Sequence, residues 1–142
     1  MWICKKLNQL TAEEFYSMEK LRIDTFVVEQ GIQYKDLDET DKVAYHLGYL
    51  ENDQCLAYAR IFQDNHQVHF GRVASSSAVR GQGYGRQLMQ QILTFCEESW
   101  PNLPIEIEAQ HQVVSLYQKF GFQTVGQPFI LEGIVHQKMI KQ

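Results

Sequence analysis

A chain of 142 residues, 44% apolar and 21% charged, has the size and balance of one folded domain with a single core, which excludes fibrous and disordered classes. Its 13 basic and 17 acidic side chains give a formal charge of −4, so there is no footprint for nucleic acid or an anionic membrane and any anionic ligand must be held locally. Cys4, Cys55 and Cys96 are odd in number, widely spaced and set among apolar residues, and read as reduced core thiols of a cytosolic protein rather than a disulfide or zinc framework. Met1 to Leu10 carries no leader pattern and no run reaches about 18 apolar residues, so neither secretion nor membrane spanning is expected.

Residues 1–142 read as one domain, with no repeat or linker composition. After a short N-terminal strand, Thr11 with Glu14 forms a capping box, and Phe15, Met18, Leu21, Ile23, Phe26 and Val27 follow at helical spacing. From Gly31 to Lys42 the chain is polar and acidic, with Asp36, Asp38, Glu39 and Asp41. The EF-hand spacing is missing, so a solvated loop with one short helical turn is expected. Three strands follow, His46 to Leu50, Cys55 to Phe62 and Gln67 to Ala74, joined by turns short enough to make an antiparallel meander. A glycine cluster then opens a helix from Gln87 to Ser99, with Leu88, Ile92, Phe95 and Cys96 on one stripe. Ile105 to Ala109 reads as a strand, Val113 to Phe120 as a helix ending at Gly121, and Phe122 to Val125 and Val135 to Ile140 as two final strands. The fold class is an α/β, three-layer domain with a mixed sheet flanked by helices.

The chemistry-bearing segment is Arg80-Gly81-Gln82-Gly83-Tyr84-Gly85-Arg86 between a strand and a helix. Such a turn presents unpaired N–H groups at the positive end of a helix dipole, and suits phosphate. Gly83 and Gly85 let the anion approach the backbone, and Arg80 and Arg86 can add charge-assisted hydrogen bonds. A plain structural turn is the competing reading. A dinucleotide loop would need glycine at Arg86, and a Walker A loop would need Gly-Lys-Ser/Thr, which is absent.

Arg80-x-x-Gly83-x-Gly85 resembles the Arg/Gln-x-x-Gly-x-Gly/Ala signature of the GNAT superfamily of N-acetyltransferases, and Tyr117-Gln118-Lys119-Phe120-Gly121-Phe122 resembles its Tyr-x-x-x-Gly-Phe helix ending. Leu21-Arg22, Phe26-Val27-Val28-Glu29-Gln30, Tyr34, Asp36, Asp38, His46, Gly71-Arg72-Val73 and Gly133-Ile134-Val135-His136 are similar to the ElaA-like branch, so the resemblance covers nearly the whole chain.

The resemblance implies acetyl-CoA as cofactor and acyl donor and a primary amine of a small molecule or peptide as acceptor, with the pantetheine arm between two splayed parallel strands. It implies donor contacts from Val73, Ala74 and Ser75 and from Arg80, Gly81, Gln82, Gly83, Tyr84, Gly85 and Arg86. Tyr117 matches the general acid for the departing thiolate. His69 stands where the histone acetyltransferase branch carries its base, with Glu106, Glu108, His111 and a water chain as competitors. Glu29, Asp38, His46, Arg72 and His136 match positions that line the acceptor side or form a network fixing the acidic loop. One departure is Gln110-His111-Gln112, where many members carry asparagine after the strand. No metal is implied. A homodimer is a frequent assembly for similar proteins. A catalytically silent acyl-CoA-binding module is the alternative from another class, and an NAD-dependent oxidoreductase is disfavoured by the missing glycine.

Overall fold

The computed structural model describes residues 1–142. In chain order it contains β1 (Trp2–Lys6), α1 (Ala12–Arg22), β2 (Tyr45–Glu51), β3 (Gln54–Gln63), β4 (Val68–Ser75), α2 (Tyr84–Ser99), β5 (Ile105–Gln110), α3 (Val114–Lys119), β6 (Gln123–Leu131) and β7 (Ile134–Lys141). The seven strands form one mixed sheet in the order β1-β2-β3-β4-β5-β7-β6. No helix is long and apolar enough to cross a membrane.

Local chemistry sets the boundaries. Thr11 Oγ1 accepts the Glu14 N–H at 3.1 Å and Glu14 Oε1 accepts the Thr11 N–H at 2.9 Å, closing the expected capping box. The helix expected to run through Val27 stays α-helical only to Arg22, and Ile23–Glu29 continue it as a π-helix. Asn52 and Asp53 take φ of 52° and 61°, the paired left-handed geometry of a tight β2–β3 hairpin. At the other turn, the Asp64 carboxylate accepts the His66 and Gln67 N–H groups, both at 2.8 Å. β6 extends past the expected end at Val125. Gly126, at φ 75°, and Pro128 lie where its register with β7 shifts, and Gln137 Nε2 donates to the Val125 and Gly126 carbonyls there.

Strand alternation sorts the core onto two faces. Ala57, Ala59 and Ile61 of β3 and Ile105 and Ile107 of β5 pack with Leu88, Met89, Ile92 and Cys96 of α2 and with Tyr117 of α3. Cys55, Tyr58 and Ala74 pack with Met18, Leu21 and Phe26 on the face covered by α1 and the π-helix. All three cysteines are free thiols, and burial pushes each up to about 12.

The acidic loop departs from expectation. Asp36 and Asp41 are buried against Arg22, which is itself 1% exposed. Arg22 Nε lies 2.8 Å from Asp36 Oδ2, Nη1 lies 2.7 Å from Asp41 Oδ1, and Nη2 donates to the Asp36 carbonyl at 2.6 Å. Arg60 grips Asp38 through two bonds, at 2.7 and 3.1 Å, and lies 3.2 Å from Asp41. The composition that reads as a solvated loop is therefore an anchor, because each carboxylate it buries meets a guanidinium from α1 or β3.

Glu19 on α1 adds a carboxyl to this cluster, 3.4 Å from Arg22. Burial first, then a hydrogen bond with Asp36, pushes its carboxyl from 4.5 up to about 8. The folded chain holds a proton there that the unfolded chain releases, so this group's contribution to stability falls as pH rises between those two values. Glu19→Gln keeps the hydrogen-bonding shape without the titration. Thermal unfolding at about pH 5.5 and about pH 8 is expected to show a wild-type drop of roughly 1–2 kcal/mol that the variant lacks.

Candidate active site

β4 and β5 are parallel neighbours that pair at Val68 and Ile105 and then diverge, which opens a V toward their C-terminal ends. β4 carries a left-handed residue, Arg72 at φ 52°, where its register with β3 shifts. Val73 and Ser75, half-buried, lie beyond that bulge with Ala74 buried between them, so Ala74 can offer a ligand only its backbone.

Past Ser75 a 3₁₀ turn (Ser77–Val79) leads to Arg80, and Gly81 and Gly83 then take φ of 84° and 86°. Gly83 is the N-cap of α2 and supplies no side-chain cap. The first amide to find an acceptor after it is that of Gln87, on the Gly83 carbonyl at 3.1 Å, so the N–H groups of Tyr84, Gly85 and Arg86 are free at the positive end of a 16-residue helix. A Cβ at Gly81, Gly83 or Gly85 would meet nothing within 4 Å, so the loop is open to an approaching group. Arg86 and Gln82 are exposed beside it. This donor set suits a multiply charged, oxygen-rich anion such as a pyrophosphate.

Arg80 is already paired. Its guanidinium meets both carboxylate oxygens of Glu29 at 2.7 and 3.0 Å and donates to the Ser75 carbonyl at 3.2 Å. That bond to Arg80 holds the Glu29 carboxyl below its ordinary range. Next to it, Gln30 accepts from Gln110 Nε2 at 3.0 Å. The end of the π-helix thus touches the segment after β4 through Glu29 and the last residue of β5 through Gln30, spanning the mouth of the V.

Tyr117 has a buried ring, edge-on to Phe70 and Phe122 at 5.9 Å. Its hydroxyl makes no hydrogen bond yet is not among the fully enclosed polar atoms, so its proton is unshared and the oxygen keeps some contact with solvent. Burial pushes this phenol up to about 12, which keeps the proton in place until a strong base arrives.

Other expected site residues are placed differently. His69 sits one residue from the only β4–β5 pair, and both ring nitrogens are committed, Nδ1 to the Glu106 carbonyl at 3.0 Å and Nε2 to Asp64 at 2.7 Å. It clasps the closed end of the V, about 20 Å along the strand from Ser75, so the geometry does not support it as a base. His46 is 1% exposed. Its Nε2–H donates to the Asp41 carbonyl at 2.9 Å and its Nδ1 accepts from the Tyr58 hydroxyl at 2.7 Å, so it belongs to the Arg22 network and not to an acceptor surface. Burial lowers its pKa and keeps it neutral. Asp38 and Arg72 lie together 3.4 Å apart at the edge of that network, partly solvated, with Arg72 over the Tyr34 ring at 4.8 Å. His136 is buried on β7, opposite Gln110. The sequence points to no role for Arg60 or Tyr58, because their partners are brought in by the fold, Asp38 and Asp41 from the acidic loop for Arg60, and Arg22 of α1 and His46 of β2 for Tyr58. No three His, Cys, Asp or Glu side chains are grouped to hold a metal ion.

A V between parallel strands with an uncapped, glycine-kinked helix N-terminus beyond one of them is the arrangement of a GNAT domain. Residues 8–142 match the acetyltransferase (GNAT) domain family, and the chain belongs to it. The chain is 40% identical to a UPF0039 protein of Synechocystis sp., over 98% of this chain and 93% of that protein. It is 36% identical to protein ElaA of Escherichia coli, over 95% and 92%, which places it in the ElaA-like branch. Among solved structures it is similar to an acyl-CoA N-acyltransferase from Pseudomonas aeruginosa, with TM-score 0.95, 37% identity and coverage of 100% and 99%. It also matches Escherichia coli ElaA, with TM-score 0.94, 34% identity and the same coverage.

Gly83 and Gly85 should respond oppositely to alanine. Gly83→Ala forces a Cβ into left-handed backbone and is expected to cost about 1–2 kcal/mol, whereas Gly85→Ala in the open first turn is neutral or stabilising by up to about 1 kcal/mol. Urea unfolding of the two variants measures the difference.

Proposed function

We propose that this protein is an acyl-CoA-dependent N-acyltransferase that moves an acetyl or other short acyl group to a primary amine of a small molecule or peptide by direct attack. The observation that carries this reading is the set of free amides at Tyr84, Gly85 and Arg86 placed at the open end of the β4–β5 splay. Membership of the GNAT family and similarity to the Pseudomonas acyl-CoA N-acyltransferase support it.

In this reading the 80–86 loop holds the pyrophosphate of the donor, with Arg86 free to join and Arg80 joining on release from Glu29. The backbone at Val73 and Ser75 pairs with the pantetheine arm and polarises the thioester carbonyl, so charge developing on that oxygen meets a fixed dipole. Tyr117 supplies a proton to the departing thiolate, a role suited to a phenol that burial keeps protonated. Glu29, Asp38 and Arg72 stand at the cleft edge on the acceptor side, where carboxylates favour a cationic amine.

Acetyl-CoA and CoA, but not NAD, are expected to raise the thermal midpoint, by about 2.7 kcal/mol of added stability at 100 times the dissociation constant. No shift with either CoA species would sink the assignment. Tyr117→Phe is expected to leave that shift intact while lowering thiol release at saturating substrates by roughly 10²-fold; a shift without turnover in the wild-type protein across amines would indicate a binding module instead. Glu29→Gln, which frees Arg80 from a half-exposed pair, is expected to tighten CoA binding up to about fivefold by calorimetry.

A further inference from the structure

The base that deprotonates the acceptor has no candidate in β4 once His69 is committed to the closed end of the V. β7 carries another. His136 pairs with Gln110, the last residue of β5. Counting along the parallel strands from Val68 and Ile105, with one β4 residue taken up by the Arg72 bulge, brings Gln110 level with Val73 and Ala74, just past that bulge. His136 therefore stands one strand, about 5 Å, behind the cleft wall at the height of the proposed thioester carbonyl. Ile105, Ile107 and Ala109 face the α2 side, so Gln110 and His136 face the opposite side, the one that carries the π-helix and the Asp38–Arg72 edge. Gln30 reaches Gln110 from that side.

The ring's own bonding fixes its chemistry. His136 Nδ1 lies 2.8 Å from the Ile134 carbonyl, which can only accept, so Nδ1 carries a hydrogen and, in the neutral ring, the lone pair is on Nε2. Nε2 has no partner and is not among the fully enclosed polar atoms. Phe129 stacks on the ring at 6.0 Å and 27°, holding its plane. His46 and His69 have both nitrogens engaged, and no hydrogen bond orients the exposed His66 and His111 rings. His136 is thus the histidine that is oriented, set in one tautomer and left with a free basic nitrogen.

We propose that His136 is the general base of the transfer, acting through Nε2 with its tautomer set by the Ile134 carbonyl; this rests on the acyltransferase reading above. Nε2 takes one proton from the arriving ammonium. The freed lone pair forms the C–N bond at the thioester carbon, and the C–S bond breaks with its electron pair leaving on sulfur. Tyr117 protonates that thiolate and is reprotonated by the second proton shed from nitrogen, while the imidazolium returns its proton to solvent.

Long-range ¹H–¹⁵N NMR of the wild-type protein, with the His136 signals assigned by their loss in His136→Asn, is expected to show an Nδ1-protonated ring; an Nε2-protonated ring would overturn the proposal. Thiol release from acetyl-CoA is then followed with spermidine, lysine amide and phenethylamine. His136→Ala and His136→Asn, the latter keeping a donor for the Ile134 carbonyl, are expected to lose about 10²-fold in kcat/KM with the CoA-induced thermal shift unchanged. Added imidazole is expected to restore part of the loss in His136→Ala. Wild-type turnover in both variants, or a loss that imidazole does not relieve in a folded, CoA-binding His136→Ala, overturns the base role. A wild-type protein that transfers to none of the amines counts against the acyltransferase reading instead, and the tautomer still decides whether His136 is poised as a base.

Discussion

The site depends on a cation sealed inside the protein. Arg22 leaves α1 at its last turn and is 1% exposed, with Asp36 and Asp41 against it. A buried guanidinium without partners is prohibitive, and two buried carboxylates without a cation are equally so, so the loop from Gly31 to Lys42 has little freedom to lie anywhere else. Arg60 and Arg72 extend the same pairing to Asp38, and His46 with Tyr58 ties it to the sheet. Four carboxyls face three guanidiniums in this cluster, and Glu19, the one pushed highest, carries the proton that closes the charge balance. The result is a rigid wall on the face opposite α2, against which the mouth of the V is defined.

From that wall the two halves of the site follow with different physics. The proposed donor half is backbone: two left-handed glycines and an uncapped helix start present N–H groups whose dipoles are set by the fold. The proposed acceptor half is side chains, held in place by the wall and by β7. Glu29 and Gln30 join the halves, because the π-helix ends over the mouth and reaches both strands. The Glu29–Arg80 pair is half-exposed and therefore a weak lock. The pyrophosphate proposed to bind here would carry more charge than the carboxylate it displaced.

Much of the fold is legible in the chain because it is governed by neighbours in sequence. The capping box at Thr11, the hairpin at Asn52-Asp53, the glycine-kinked start of α2 and the stop at Gly121 are local rules, and each element they bound is found. The π-helix is not legible, since Ile23 to Val27 keep a helical apolar spacing whichever ring closure the backbone adopts. The extension of β6 past Gly126 and Pro128 is hidden for a similar reason. A bulge filled by Gln137 from the neighbouring strand makes tolerable what looks like a strand end.

Arg80 to Arg86 and Tyr117 are legible as candidates, because a glycine-kinked helix start and a tyrosine near a helix end are each made within a few consecutive residues. Histidines are the opposite case. His46, His69 and His136 look alike in sequence, all in strands and each preceded by an apolar residue. Only tertiary structure separates them, because the role of an imidazole is set by what its two nitrogens touch, and those partners, Asp41 and Tyr58, Asp64 and Glu106, and Ile134, include residues on other strands and loops. The sequence by itself determined the family, the order of the elements and the glycine-kinked start of α2, all products of local propensity and pattern. The buried ion network and the pairing of each ionisable group were decided by the folded chain alone, since Coulomb attraction and desolvation depend on distances in space that no spacing along the sequence specifies.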